Sequence, residues 1–526
     1  MIYNSFSFII FVFVILFLYY TVFRTHQRRL LLAASILFYC FSGPRYLLYV
    51  LTSSSLTYAC ARCIGKIYSA SAESDILSDA KQKERKAKER QKASKILKFY
   101  FLIILGIFII LKYFNFLSSS ICSALSLFHA ESEPVLLKLV LPLGLSYYTF
   151  TNIGYILDVY WRKIPAETNW GNFTLFTIYF PHIVQGPIAR YGQLAPQFLT
   201  EKTFHYEQMT SGLQLMLWGL FKKMVIADRL NIFVSQIYGN YQNYSGVIFI
   251  VATILYSIQI YADFSGCMDI VSGISEAFGI SLAKNFDHPY FSRSIPEFWR
   301  RWHITLGTWF KDYVFYPVSR SELCKKFNKW TRKTWGNIVS RTWSSVIPLV
   351  AVWLLTGIWH GAAWKYVAWG LFHGILIIGG TIFASQLQYM TEKFSIQTDS
   401  FSWHLFQMIR TFTLCCIGRV FFRAADLKAA LSIFRRTFRD FQPWVLFDGS
   451  LYTYGLDRPN FILALFSIGI LLIVSLMQER FQLRQAFARQ NIIFRWGILY
   501  IAIFSIFIFG IYGPGYNASQ FIYNQF

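Results

Sequence analysis

Charge is scarce in this sequence. Only 14% of the 526 residues are Asp, Glu, Lys or Arg, about half the share of a soluble domain. Acidic residues are scarcer still, 26 against 50 basic ones. Nucleotide and nucleophile motifs are missing too: the chain has no P-loop, no G-x-G-x-x-G, no G-x-S-x-G and no zinc-type histidine pair. The eight cysteines include the C-x-x-C of Cys60 and Cys63, which no second pair completes. Buried free thiols are therefore expected, with neither a disulfide framework nor a metal site. No internal repeat is visible, so the paired halves common among transporters are absent. Basic runs without an interleaved aromatic motif exclude nucleic acid as the partner.

Long apolar runs are present in their place. Ser5–Phe23, Phe99–Leu117, Phe461–Leu476 and Ile498–Ile511 are nearly continuous hydrocarbon, and about 20 such residues span a bilayer as a helix. The chain reads as an all-α polytopic membrane protein with roughly ten to thirteen crossings. A β-barrel would show short alternating segments instead. No basic residue precedes the first run and no small-residue cleavage site follows it, so it reads as a retained membrane helix.

The positive charge sorts by side. Lys81–Lys98 holds nine basic and two acidic residues, Arg320–Arg341 seven and one, and Arg423–Arg439 five and one. These read as cytoplasmic, next to anionic lipid. Ser118–Leu137 has no Lys or Arg and carries Glu131 and Glu133, which places it outside. Gly43-Pro44 breaks the stretch between Leu30 and Lys66. Tyr179–Phe198, with Pro181, Gly186, Pro187 and Pro196, predicts a broken or re-entrant segment covered by protein. The division expected is one transmembrane domain over 1–526: N-terminal helices in 1–80, a basic cytoplasmic segment 81–98, a core 99–390 and C-terminal helices 391–526.

Three clusters place costly polar groups in apolar surroundings. In Tyr256–Gly273, Asp263 and Asp269 interrupt a membrane segment; they fit ion pairs to Arg300 or Arg301, or contacts to substrate. In Phe298–Tyr313, helical spacing sets Phe298, Trp302, Trp309, Tyr313 and Tyr316 on one face, with Arg300 and Lys311 opposite and His303 at the border. That pattern predicts an interfacial amphipathic helix anchored by aromatic rings, or a cationic lip of Arg300, Arg301 and Lys311 for a phosphate-bearing substrate. In Val352–Gly374, His360 follows Arg341 by about 19 residues, roughly 28 Å of helix. Gly361, Ala362 and Ala363 leave room beside the ring, and burial favours the neutral imidazole that accepts a proton. His360 fits a structural role and a catalytic one equally; His373 fits packing or hydrogen bonding. One histidine, an activated ester and no metal would suffice for acyl transfer.

Several stretches resemble the membrane-bound O-acyltransferase superfamily. They are Leu141–Trp161 (LPLGLSYYTFTNIGYILDVYW), Gly219–Leu230, Gln259–Ile280, Asn285–Val318, Gly357–Gly374 (GIWHGAAWKYVAWGLFHG), Val420–Ala430 and Tyr512–Phe526. The combination is similar to the bacterial polysaccharide and peptidoglycan O-acetyltransferase branch, which includes the alginate O-acetyltransferase membrane subunit. The resemblance implies a fold with interfacial helices and re-entrant segments around a central tunnel. It implies His360 as the catalytic histidine and His303 as the second functional position, with Trp359 and Gly361 beside the substrate. It also implies acetyl-CoA as donor substrate with no bound cofactor, and a polysaccharide acceptor. The setting implied is the bacterial cytoplasmic membrane with its lipids, and an extracytoplasmic SGNH-hydrolase-like partner carrying its own Ser-His-Asp set. Two other functions fit part of the pattern: a D-alanyl transferase for teichoic acid from the same superfamily, and a transporter or flippase coupling ions through Asp263 and Asp269.

Overall fold

The computed structural model of the chain describes residues 3, 5–69, 79–126, 128, 133–139 and 141–512. Glu131 and nearly all of the Tyr512–Phe526 motif lie outside the described residues. Among the described residues the ordered backbone is helical, and the one β feature is an isolated antiparallel bridge between Phe286 and Trp302. Seven described helices are long and apolar enough to cross a membrane, and two apolar helices of 15 residues, Phe6–Tyr20 and Val346–His360, accompany them. The protein is thus an all-α, multi-pass membrane protein. Some apolar stretches are packed inside the protein instead of facing lipid. Leu145–Tyr160 is such a helix: 13 of its 16 residues are buried. Conversely, Leu102, Ile375, Phe466 and Ile501 are exposed, as lipid-facing side chains must be.

The chain divides into two compact units, Met1–Leu213 with Val271–Ala283, and Gln214–Ile270 with Lys284–Phe526. In the first, Gly43 (φ 130°) separates the helices Gln27–Ser42 and Pro44–Ser69. The basic stretch 81–98 is the first part of a single 48-residue helix, Asp79–Ser126. Glu89 fastens it: the carboxylate is buried and bonded to Arg85 at 3.1 Å and Arg162 at 2.8 Å. Between the helices Trp170–Ile178 and Tyr191–Leu199 the backbone is irregular and its residues are largely buried, as the prolines in Tyr179–Phe198 predict.

The second unit holds every candidate site residue. Small residues set its tightest helix contacts. A Cβ on Gly219 would come within 2.5 Å of the Gly266 carbonyl oxygen, and one on Gly266 within 2.8 Å of the Gly219 oxygen. The helices Val346–His360 and Trp364–Ile382 pack the same way: a Cβ on Gly357 would meet the Tyr366 oxygen at 2.5 Å, and one on Gly370 the Trp353 oxygen at 2.5 Å. Helices in lipid gain little from apolar burial against each other, so close backbone approach at small residues takes its place.

Candidate active site

The stretch Phe298–Tyr313 is two short helices and a wide turn, not one interfacial helix. Ile295–Arg301 ends at Trp302; Ile304–Phe310 follows and runs into a π-helical turn, Lys311–Phe315. Ser294 accepts from Glu297 N at 3.3 Å and caps the start of the first of them. The break between them is His303, held at φ 47°, in the left-handed region, where a non-glycine residue costs on the order of 1–3 kcal/mol. A neighbouring segment enforces the break. Phe286 bridges Trp302, Asp287 N donates to Arg301 O at 2.9 Å, and Ile304 N donates to Asn285 O at 3.0 Å. The aromatic residues turn inward rather than toward headgroups. Phe298, Trp302, Trp309 and Tyr313 are all buried; only Tyr316 is exposed.

Asn285 organises the centre of this turn. Its Oδ1 accepts from the Thr305 N–H at 3.1 Å and the Thr305 hydroxyl at 2.9 Å, and lies 3.1 Å from His303 Nδ1. Its Nδ2 donates toward Met268 Sδ at 3.2 Å. A backbone N–H can only donate, so the atom facing Thr305 is the amide oxygen. His303 Nδ1 must therefore carry the proton, which leaves Nε2 as the acceptor nitrogen. Asn285 also caps the helix Ile304–Phe310, because His303 makes no side-chain cap bond of its own. The His303 ring is 5% exposed, and burial pushes its pKa down to about 3. The imidazole is neutral at physiological pH.

His360 is the last residue of Val346–His360 and is 4% exposed. Pro348 stands in the first turn of that helix, where proline leaves the path straight. The ring is packed edge-on to Trp369 (4.7 Å), Trp359 (4.8 Å) and Phe422 (5.2 Å). Trp359 also lies 6.0 Å from the His303 ring. One indole thus lies near both candidate histidines. The room beside Gly361 is already taken: a Cβ there would fall 2.3 Å from the Tyr366 ring. The glycine admits Tyr366 rather than leaving open space. His373 is buried and accepts from Trp299 Nε1 at 3.4 Å, the hydrogen-bonding role expected.

The acidic candidates have other partners than the arginines expected. Asp263 pairs with Lys223 at 2.7 Å, and Asp269 with Lys222 at 2.7 Å. Lys223 also holds Asp228 at 2.7 Å, and Lys222 donates to Ser265 at 2.9 Å. Both lysines sit in the π-helical turn Phe221–Ala227, whose wider turn sets two consecutive ammonium groups on carboxylates of the helix Val247–Ala277. That helix also brings Phe264 to 4.8 Å from the His303 ring and Met268 to Asn285. Arg301 is committed to Glu297 and Glu479, each at 3.0 Å. Of the proposed cationic lip, Arg300 and Lys311 remain exposed without a carboxylate partner among the described residues. Sequence reasoning quoted Asn285, Lys222, Lys223, Tyr366 and Trp369 inside its motifs but did not select them. Only the doubled lysine in an apolar stretch was a usable signal.

Residues 168–331 match the model of the MBOAT, membrane-bound O-acyltransferase family. This stretch includes Asn285 and His303 and ends before His360. The chain is 32% identical over 384 residues to the "Probable alginate O-acetylase AlgI" of Pseudomonas aeruginosa, covering 73% of this chain and 65% of the relative. It is 30% identical over 325 residues to the peptidoglycan O-acetyltransferase of Helicobacter pylori, 57% of each. It is 29% identical over 285 residues to the teichoic acid D-alanyltransferase of Bacillus subtilis, 50% of this chain and 67% of the relative. The chain therefore matches somewhat under two thirds of the length of its alginate and peptidoglycan relatives.

Proposed function

The chain carries a membrane-bound O-acyltransferase domain, and on that footing we propose that it moves an acetyl group from cytoplasmic acetyl-CoA to a hydroxyl outside the membrane. The acceptor is an extracytoplasmic polysaccharide, reached through an SGNH-hydrolase-like partner, and the setting is the bacterial cytoplasmic membrane. Acetyl-CoA enters as a substrate, and no resident cofactor takes part.

The observation that carries this reading is the pair of buried histidines that share Trp359 as a neighbour. His360 takes the proton from the acceptor hydroxyl. The oxygen attacks the thioester carbonyl, the C–S bond breaks, and His360 returns the proton to the leaving thiolate. Base catalysis of this kind contributes about 10²–10⁴-fold; alignment of the two reactants supplies much of the rest. His303 is a positioning residue. Its Nδ1 proton is committed to Asn285, so Nε2 accepts a hydrogen bond from a donor N–H rather than polarising a carbonyl. Arg300 and Lys311, both exposed, attract phosphates at the entrance. Asp263 and Asp269 act through Lys223 and Lys222 to hold the helix that carries Phe264 against His303.

The alginate and peptidoglycan relatives, by their names, support acetyl as the group moved; the teichoic acid relative supports D-alanine. The test is polymer O-acetylation in cells making wild type or His360→Ala at equal membrane abundance. Loss of acetyl esters supports the reading, and unchanged acetyl content refutes it. If D-alanyl esters disappear instead of acetyl esters, the donor is wrong and the acyl-transfer chemistry stands.

A further inference from the structure

Among the described residues, two guanidinium groups on one face of the helix Phe401–Arg423 lack a counter-charge. Arg419 is 3% exposed and Arg423 is half-buried. They are four residues apart, so they share a helix face, where like charges repel. The Arg419 guanidinium lies 4.4 Å over the Trp302 ring, and Arg423 lies 5.6 Å from Tyr238 and 6.0 Å from Tyr256. Among the described residues Arg419 Nη2 has no hydrogen-bond partner, and Arg423 donates to the neutral Ser235 hydroxyl at 2.9 Å. Arg85, Arg162 and Arg301, by contrast, pair with carboxylates. A third cation stands close by: Lys365 donates to the Ala424 oxygen at 2.6 Å at the end of the same helix. Asp263 is held by Lys223 at 2.7 Å, and Asp426, three residues beyond Arg423, caps Ala429 N at 2.7 Å.

A guanidinium keeps its proton inside a protein. A ring face returns to it only a small part of what burying the ion costs. Trp302, Tyr238 and Tyr256 therefore cannot offset the burial alone. An anion carrying up to two charges would, and phosphate oxygens match the arginine fork. The location bears on the chemistry: Trp302 precedes His303, and Phe422 packs 5.2 Å from His360.

We propose that Arg419 and Arg423 form a phosphate site in the second unit. Its ligand is the phosphate next to the pantetheine arm of a thioester donor or the phosphate of a lipid headgroup. The first source rests on the acyl-transfer reading above; the second does not.

The test uses the full-length protein in dodecyl maltoside, a detergent without phosphate, with 4′-phosphopantetheine and pantetheine as paired probes. It is repeated with phosphatidylglycerol added to the micelles. If the donor arm is the ligand, wild type binds 4′-phosphopantetheine about tenfold or more tighter than pantetheine. Arg419→Gln and Arg423→Gln lose that preference, and Arg419→Lys keeps part of it. If a lipid is the ligand, the probes bind alike, and phosphatidylglycerol raises the melting temperature of wild type but of neither Gln variant. Identical responses of wild type and Arg419→Gln in both arms overturn the proposal. So does Arg419→Gln melting below wild type in dodecyl maltoside without probe or lipid, because an arginine that only braced Trp302 would behave that way. His360→Ala keeps the phosphate response while losing acyl transfer, so failure of either reading is seen separately.

Discussion

Replacing Asn285 with alanine removes one oxygen on which three donors converge. The Thr305 hydroxyl can rotate to another acceptor. The Thr305 N–H and the His303 Nδ1–H cannot, and both sit in a buried turn. Each orphaned buried donor costs about 1–3 kcal/mol, so the folded state loses roughly 3 kcal/mol after relaxation. The left-handed His303 also loses its brace. The tautomer is then free to interchange, and donor positioning suffers by about tenfold or more in kcat/KM, or 1.4 kcal/mol and upward. The assay pairs thermal unfolding in detergent, read by tryptophan fluorescence, with acyl transfer at saturating and limiting donor. Asn285→Asp separates positioning from stability. It keeps the accepting oxygen but charges it, which favours the imidazolium and raises the His303 pKa from about 3. That variant should fold well and show activity that falls on the acid side as pH drops through the raised pKa. An Asn285→Ala protein with wild-type stability and wild-type rates would refute the role given to this residue.

Other perturbations follow from the same geometry. Gly361→Val should displace the Tyr366 ring from its 2.3 Å overlap and reduce both stability and activity; Tyr366→Ala should restore part of the fold, as seen in melting temperature. Lys223→Met leaves Asp228 and Asp263 buried without their shared cation and should cost about 3–5 kcal/mol, with a double Lys223→Met/Asp263→Asn variant less impaired. His303 is neutral when folded and has an ordinary pKa near 6.5 when unfolded. Its contribution to stability is therefore complete above about pH 6.5 and is lost as pH falls toward 3, by up to about 1.4 kcal/mol per unit. His303→Gln should flatten that part of the melting-temperature profile.

Much of this protein was legible in its sequence, and the limits have physical causes. Apolar runs named the class, because lipid demands continuous hydrocarbon. Gly43, which can take a φ of 130°, and Pro181 and Pro187, which fix φ and lack an N–H, marked true breaks, whereas Pro196 lies inside the helix Tyr191–Leu199. His303 and His360 stood out as polar groups in apolar surroundings. The helix period misled at Phe298–Tyr313. It assumed one helix, whereas a distant segment, Asn285–Asp287, splits the stretch by pairing with it. Ion pairs were unreadable for the same reason. Lys222 and Lys223 lie forty residues or more from Asp269 and Asp263 in the chain and reach them only once the helices pack; only the pair of Lys223 with Asp228 is local. The small residues after His360 suggested space, yet Tyr366 folds back to fill it.

The central claim is that His360 moves the proton in acyl transfer. The direct measurement is the O-acetyl content of envelope polysaccharides, by mass spectrometry, from cells lacking this protein and restored with wild type or His360→Ala at matched membrane levels. Acetyl esters should return with wild type and remain at the deletion background with His360→Ala. Equal restoration by both would contradict the account.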